Sequence, residues 1–220
     1  MKYLILCFKV PYSYEKSKIA SIYSSIQGEK SHNNNSENPI YQRDPYSIDD
    51  NGFTHGVAKI FLKNYKNKLV QAIIPSGCEL IEKHTSFKWP YDFSRFVIVN
   101  KPQLGGAEHC TFITSEKVDY IPEETAFILG NSRPQIDYVD LTNGYAGECC
   151  FIYKVLKYEI NIFGSSLIEP IVAIFYKKIY KTNYVNMIKC KDQWENYTEE
   201  EAENMKTGVT VVQIAQIDDE

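Results

Sequence analysis

Ile19, Ile22, Tyr23 and Ile26 follow one another at spacings of three and four, which places them on one stripe of a helix. An amphipathic helix is therefore predicted over residues 15–27, with Gly28 as its stop. Ahead of it the chain opens Met1-Lys2-Tyr3-Leu4-Ile5-Leu6-Cys7-Phe8-Lys9-Val10. Its apolar run stops after six residues, too short for a signal-peptide core or a membrane span, so a first strand of a cytoplasmic protein is expected. Residues 29–54 carry almost no aliphatic side chains. The run His32-Asn33-Asn34-Asn35-Ser36-Glu37-Asn38-Pro39 predicts a long polar loop, with Tyr41 and Tyr46 to anchor it.

The middle of the chain reads as strands. Residues 57–62 and 69–74 flank Lys63-Asn64-Tyr65-Lys66-Asn67-Lys68 as a hairpin, closed by Pro75-Ser76-Gly77. Further strands are predicted at 95–99, 110–114, 125–129 and 136–141, separated by turn residues such as Gly105-Gly106 and Asn143-Gly144. Residues 150–163 fit a buried strand and a helix equally well. Ser166-Leu167-Ile168-Glu169 is a capping box that opens a helix through residue 180, and Thr198-Glu199-Glu200-Glu201 is a second one. Residues 209–217 are apolar on both sides of the alternation and predict a buried last strand. The sum is a single α+β domain over 1–220. Its core is strand-rich, a β-sandwich or a curved antiparallel sheet, with an early amphipathic helix and one or two late helices.

Composition narrows the function classes. A chain of 220 residues buries roughly 70% of its unfolded surface and needs no staple. The six cysteines show no CxxC pair and no zinc-ligand spacing, so reduced thiols, no metal and no cofactor are expected. Net charge is −4, and arginine occurs only at Arg43, Arg95 and Arg133. Scarce arginine and scattered lysine argue against sequence-specific nucleic-acid binding, and nothing points to a membrane.

The sharpest chemical candidate is a cysteine nucleophile. Asn143-Gly144-Tyr145-Ala146-Gly147-Glu148-Cys149-Cys150 resembles the nucleophile turn of the ubiquitin-like-protease and adenovirus-protease class. That resemblance makes Cys149 the nucleophile, His109 the base and Asp119 the orienting acid. Two extra residues before Cys149, the lack of an oxyanion Gln and a His-to-Cys interval of forty residues depart from the pattern. Read without it, Cys149 and Cys150 are buried thiols at the start of a core element, and no catalytic residue is favoured. His84-Thr85-Ser86 and His109-Cys110-Thr111 repeat the unit of two-histidine phosphoesterases, only twenty-five residues apart. Glu199, Glu200, Glu201 and Glu203 fit a solvated helix end.

Seventeen tyrosines, many in polar stretches, suit contact surfaces. Together with the early strand, the helix over 15–27, the Tyr-bearing polar loop, the strand-rich middle and the late helix from Leu167, they resemble the polyhedrins of insect cypoviruses. The resemblance implies a β-sandwich with helical arms, trimers packed into an occlusion lattice with self as the partner, and no catalytic residues. A cysteine hydrolase and an intracellular protein-binding module are the alternatives.

Overall fold

The computed structural model describes residues 1–33, 40–64, 76–161 and 165–207. The chain is α+β with a strand-rich core. Its strands are β1 (Lys2–Val10), β2 (Tyr41–Arg43), β3 (Ser47–Ile48), β4 (Thr54–Phe61), β5 (Leu80–Lys88), β6 (Tyr91–Ile98), β7 (Gly105–Thr114), β8 (Ile136–Asp140) and β9 (Cys150–Ile160). Helix α1 (Tyr14–Asn33) follows β1, α2 (Glu123–Leu129) follows β7, and α3 (Ser165–Lys189) and α4 (Glu199–Thr207) follow β9. All nine strands join one sheet, in the order β2-β4-β5-β6-β7-β9-β1-β8 with β3 beside β4. Neighbours run antiparallel except β8, which lies parallel to β1.

Side chains alternate across β1, β7 and β9 into two cores. Leu6, Phe8, Val10, Ile113 and Ile152 meet Ile19, Ile22 and Tyr23 of α1, Met187 of α3, Ala202 of α4, and Trp194 from the segment between α3 and α4 on one face. Trp194 is fully buried there, and its indole N–H donates to the Met187 carbonyl at 3.0 Å. Burying a side chain such as Ile22 contributes about 1.5–3 kcal/mol. On the other face, Ile5, Cys7, Cys110, Phe112, Tyr153 and Val155 pack under Ile128 and Leu129 of α2. The expected stripe of α1 is thus the buried one, with Ile26 packed at its edge.

Several boundaries differ from expectation, each for a local reason. α1 continues past Gly28 to Asn33, since a mid-helix glycine costs only about 1 kcal/mol. Residues 125–129 form a helical turn instead of a strand: both the backbone N–H and the hydroxyl of Thr125 donate to the Pro122 carbonyl, at 3.0 and 2.9 Å. Of the ambiguous stretch 150–163, Cys150–Ile160 form strand β9, buried on both faces, which is why periodicity could not separate strand from helix, and residues 162–163 lie outside the described residues. β5 was not predicted, because Glu82, Lys83, His84, Thr85 and Ser86 leave it polar on both alternations. α3 runs to Lys189, well beyond residue 180. The Thr198 capping box forms as expected, with Thr198 N–H on Glu201 Oε2 at 2.7 Å and Glu201 N–H on Thr198 Oγ1 at 3.2 Å. The predicted strands at 69–74 and 209–217 lie outside the described residues. Gly105 opens β7 at φ 133, where a Cβ would meet the Glu159 carbonyl oxygen at 2.0 Å. Only glycine lets β7 start that close to β9.

Candidate functional site

Sheet register lines up polar residues on the helix-covered face. Lys154 of β9 lies opposite Thr111 of β7, and Thr111 opposite Asp92 of β6. One row along, His109 lies opposite Ser94, and Ser94 opposite Thr85 of β5. Lys154, Thr111, Asp92, His109, Thr85 and Lys83 line a cavity of about 330 Å³. Its far wall comes from Ser21, Ser24 and Ser25 of α1 and from Tyr180, Asn183 and Tyr184 of α3, and its end carries Tyr41, Arg43 and Tyr46. Six strands from β2 to β9 contribute residues to this one space. A flat sheet of that width would span about 24 Å, so the sheet curls around α1 and α3, in line with the curved-sheet alternative.

The polar groups are mostly removed from water. Lys154 is enclosed, its remaining open surface lining the cavity, and its ammonium donates to the Thr111 hydroxyl and sits 5.0 Å from the Tyr180 ring centre. Burial drives its pKa down to about 8, against the pull of the Asp92 carboxylate. His109 is buried between the rings of Phe96 at 5.5 Å and Tyr180 at 6.4 Å. Burial first, then Lys154 and Lys83, hold its imidazole well below the ordinary range, so it is neutral at pH 7. Asp92 is the exception to satisfied burial: its Oδ1 is shielded and accepts no hydrogen bond. At the far end, Arg43 stacks over Tyr46 at 4.1 Å and donates to its hydroxyl at 2.6 Å.

The structure does not bring Cys149, His109 and Asp119 together. His109 pairs with Leu156, seven positions beyond Cys149 along β9, a strand length of about 23 Å. Cys149 directs its thiol to the Gly147 carbonyl at 3.5 Å, and the side chain of Asp119 is 94% exposed in the loop after β7. The two His-x-Ser/Thr units also part company. His84 faces the side away from the cavity, 3.4 Å from Glu82, while His109 faces inward. Glu199 and Glu203 reach Lys18 of α1, at 2.8 and 3.8 Å, and tie the two helices. All six cysteines are free thiols. Among the described residues no cluster of metal-ligating side chains forms, and no helix is long and apolar enough to cross a membrane.

A Ser-His-Asp line does occur elsewhere. His55 bonds Ser86 Oγ through Nδ1 at 2.9 Å and Asp49 Oδ2 through Nε2 at 3.0 Å. Asp49 Oδ1 also accepts the N–H groups of Asn51 and Phe53. The line sits on the sheet face away from the cavity and fastens the β3–β4 turn to β5.

Sequence reasoning missed Lys154, Asp92 and Thr111. The available signal was a lone charge in an apolar strand: Lys154 inside Phe151-Ile152-Tyr153-Lys154-Val155-Leu156, and Asp92 between Tyr91 and Phe93. Charges in such positions need a partner or a function.

The fold and site define a chain whose curled sheet and long helix line a charged cavity. No known protein family and no curated protein matches the sequence. Among solved structures, the chain is similar to TTHA0849 from Thermus thermophilus, with 9% identity, a TM-score of 0.42, and coverage of 85% of this chain and 94% of that one. It is also similar to norcoclaurine synthase from Thalictrum flavum in complex with dopamine and hydroxybenzaldehyde, with 10% identity, a TM-score of 0.44, and coverage of 90% and 89%. Likeness at this level says nothing about ligand or activity.

Proposed function

We propose that the protein binds and carries one phospholipid in the cavity beneath α3, head group inward, as a cytoplasmic lipid carrier. The observation that carries this is the enclosed Lys154–Thr111 pair. A buried ammonium that bonds a neutral hydroxyl instead of a carboxylate has unused capacity for an anion. Lysine and hydroxyl donors together suit a phosphate. The apolar part of the ligand next to the head group finds Ile22, Ala58, Phe87, Ile113 and Met187 in the same walls, and a volume of about 330 Å³ takes a head group and glycerol, with the acyl chains continuing out of the cavity mouth. Deep charge with apolar surroundings orients an amphiphile with its head inside.

The test is incubation with vesicles of mixed phospholipids, re-isolation, and native mass spectrometry, with transfer of a fluorescent phospholipid between donor and acceptor vesicles as the second arm. One bound phospholipid per chain, lost in Lys154→Met, is expected. Uptake of a free phosphomonoester or a fatty acid, with no phospholipid, would sink the reading. A lipid-free chain that sediments as large particles would support the occlusion-matrix reading instead.

A further inference from the structure

We infer that the solvent side of α3 docks the protein on a bilayer that contains anionic phospholipid, through Ile171, Ile174, Phe175 and Ile179 with Lys178 and Lys181 beside them. This rests on phospholipid carriage, which needs a surface where carrier and bilayer meet. The spacings of three and four from Ile171 through Ile174, Phe175 and Lys178 put these residues on one stripe of the helix, with Ile179 at its edge. Tyr180, Asn183, Tyr184 and Met187 lie toward the other side and line the cavity. One helix therefore walls the cavity on one side and meets solvent on the other. Ile171 is 64% exposed, Ile174 69%, Phe175 56% and Ile179 37%. Single exposed apolar residues are ordinary, but a run of them on one helix face marks a contact surface.

Charge decides what covers this surface. The chain carries a net charge of −4, yet α3 holds Lys177, Lys178, Lys181 and Lys189 against Glu169 as its one acid. Glu169 is met by Lys2 at 3.5 Å, and Lys177 meets Asp137 at 2.6 Å. Lys178 and Lys181 stand exposed on the stripe with no carboxylate of α3 beside them. A second copy seated face to face would bring these lysines together with no acid of the helix between them. An anionic head-group layer suits both parts of the stripe: the apolar side chains enter the boundary of the acyl region, and the ammonium groups reach the phosphates on their long stems.

The experiment floats the full chain with phosphatidylcholine vesicles and with vesicles that also contain phosphatidylserine. Loading is measured separately, from phospholipid in detergent micelles, by native mass spectrometry. The wild type is expected to bind the anionic vesicles at least about tenfold more tightly than the neutral ones, with the difference shrinking as salt is raised. Ile174→Ser combined with Phe175→Ser should weaken binding to anionic vesicles by at least about tenfold. Lys178→Gln and Lys181→Gln should each weaken it by about fivefold. Because the altered side chains are exposed, every variant should melt within about 2 °C of the wild type and load from micelles as the wild type does, while its transfer between anionic vesicles slows. Equal wild-type binding to the two kinds of vesicle, a serine variant that binds like the wild type, or one that melts several degrees lower would overturn the docking assignment. So would a dimer in sedimentation that the serine substitutions abolish, which would give the face to a second copy. Loading from micelles without vesicle binding overturns docking and leaves carriage standing; vesicle binding without loading supports the docking face and overturns carriage.

Discussion

Two neighbouring cross-strand pairs on β7 and β9 show how differently the two faces of the sheet are used. Phe112 and Tyr153 stack at 4.7 Å with their planes 4° apart, and the Tyr153 hydroxyl both donates to and accepts from the Val118 backbone at 2.8 Å. One residue along each strand, Thr111 and Lys154 face the cavity. The first pair has every polar atom matched and lies under α2. The second keeps a charge out of water with a hydroxyl as its hydrogen-bond partner and the Tyr180 ring 5.0 Å away. The α2-covered pair is therefore closed on itself, whereas the helix-covered face combines an apolar core with a row of enclosed polar groups.

That contrast breaks most visibly under truncation. Phe112→Ala should cost about 3–5 kcal/mol by loss of burial and creation of a cavity, read as a lower urea midpoint. Thr111→Val, next to it, should shift stability by no more than about 1 kcal/mol while weakening phospholipid uptake. Equal losses at the two positions would mean that the cavity face is ordinary core.

The second effect is a pH signature of Lys154. Its folded pKa of about 8 lies below the unfolded value, near 10.4. Between these values the unfolded chain binds more protons, so the contribution of Lys154 to stability becomes more favourable as pH rises. Wild-type stability minus that of Lys154→Met should therefore climb by roughly 3 kcal/mol from pH 8 to 10.4. The difference is the quantity to follow. Burial raises the thiols of Cys7, Cys110 and Cys150, the last to about 12, so the unfolded chain loses those protons first and absolute stability falls above about pH 9. A flat difference would show that Lys154 is solvated.

On the acid side the group to follow is His109. Its folded pKa is depressed by burial, so below about pH 6.5 the unfolded chain takes up a proton that the folded one does not. Stability should then decline by about 1.4 kcal/mol per pH unit, and His109→Phe should remove that slope in a pH series of thermal melts. The smallest effect concerns the thiols. Cys149 and Cys190, partly open, should alkylate in the folded protein, whereas Cys7, Cys110 and Cys150 should react only after unfolding. Rapid labelling of Cys110 would mean that the α2-covered face opens.

Local signals in the sequence were enough for elements stabilised within a few residues. The stripe of Ile19, Ile22 and Tyr23 and the Thr198–Glu201 box are such cases, because helical spacing and capping bonds are short-range. The α+β class followed from the same patterns. β5 and the cavity residues were not legible, since a polar strand has no pattern of its own and the partners of Asp92, Thr111 and Lys154 lie on three strands far apart in sequence. Likewise, His109 and Cys149 looked suited to one another in the linear chain, and strand register set them about 23 Å apart. The sequence by itself determined the strand-rich core and the early and late helices, consequences of local periodicity and spacing. Only the tertiary structure decided which charges are enclosed and what they face, because burial and register are properties of how the strands pair and curl around α1 and α3.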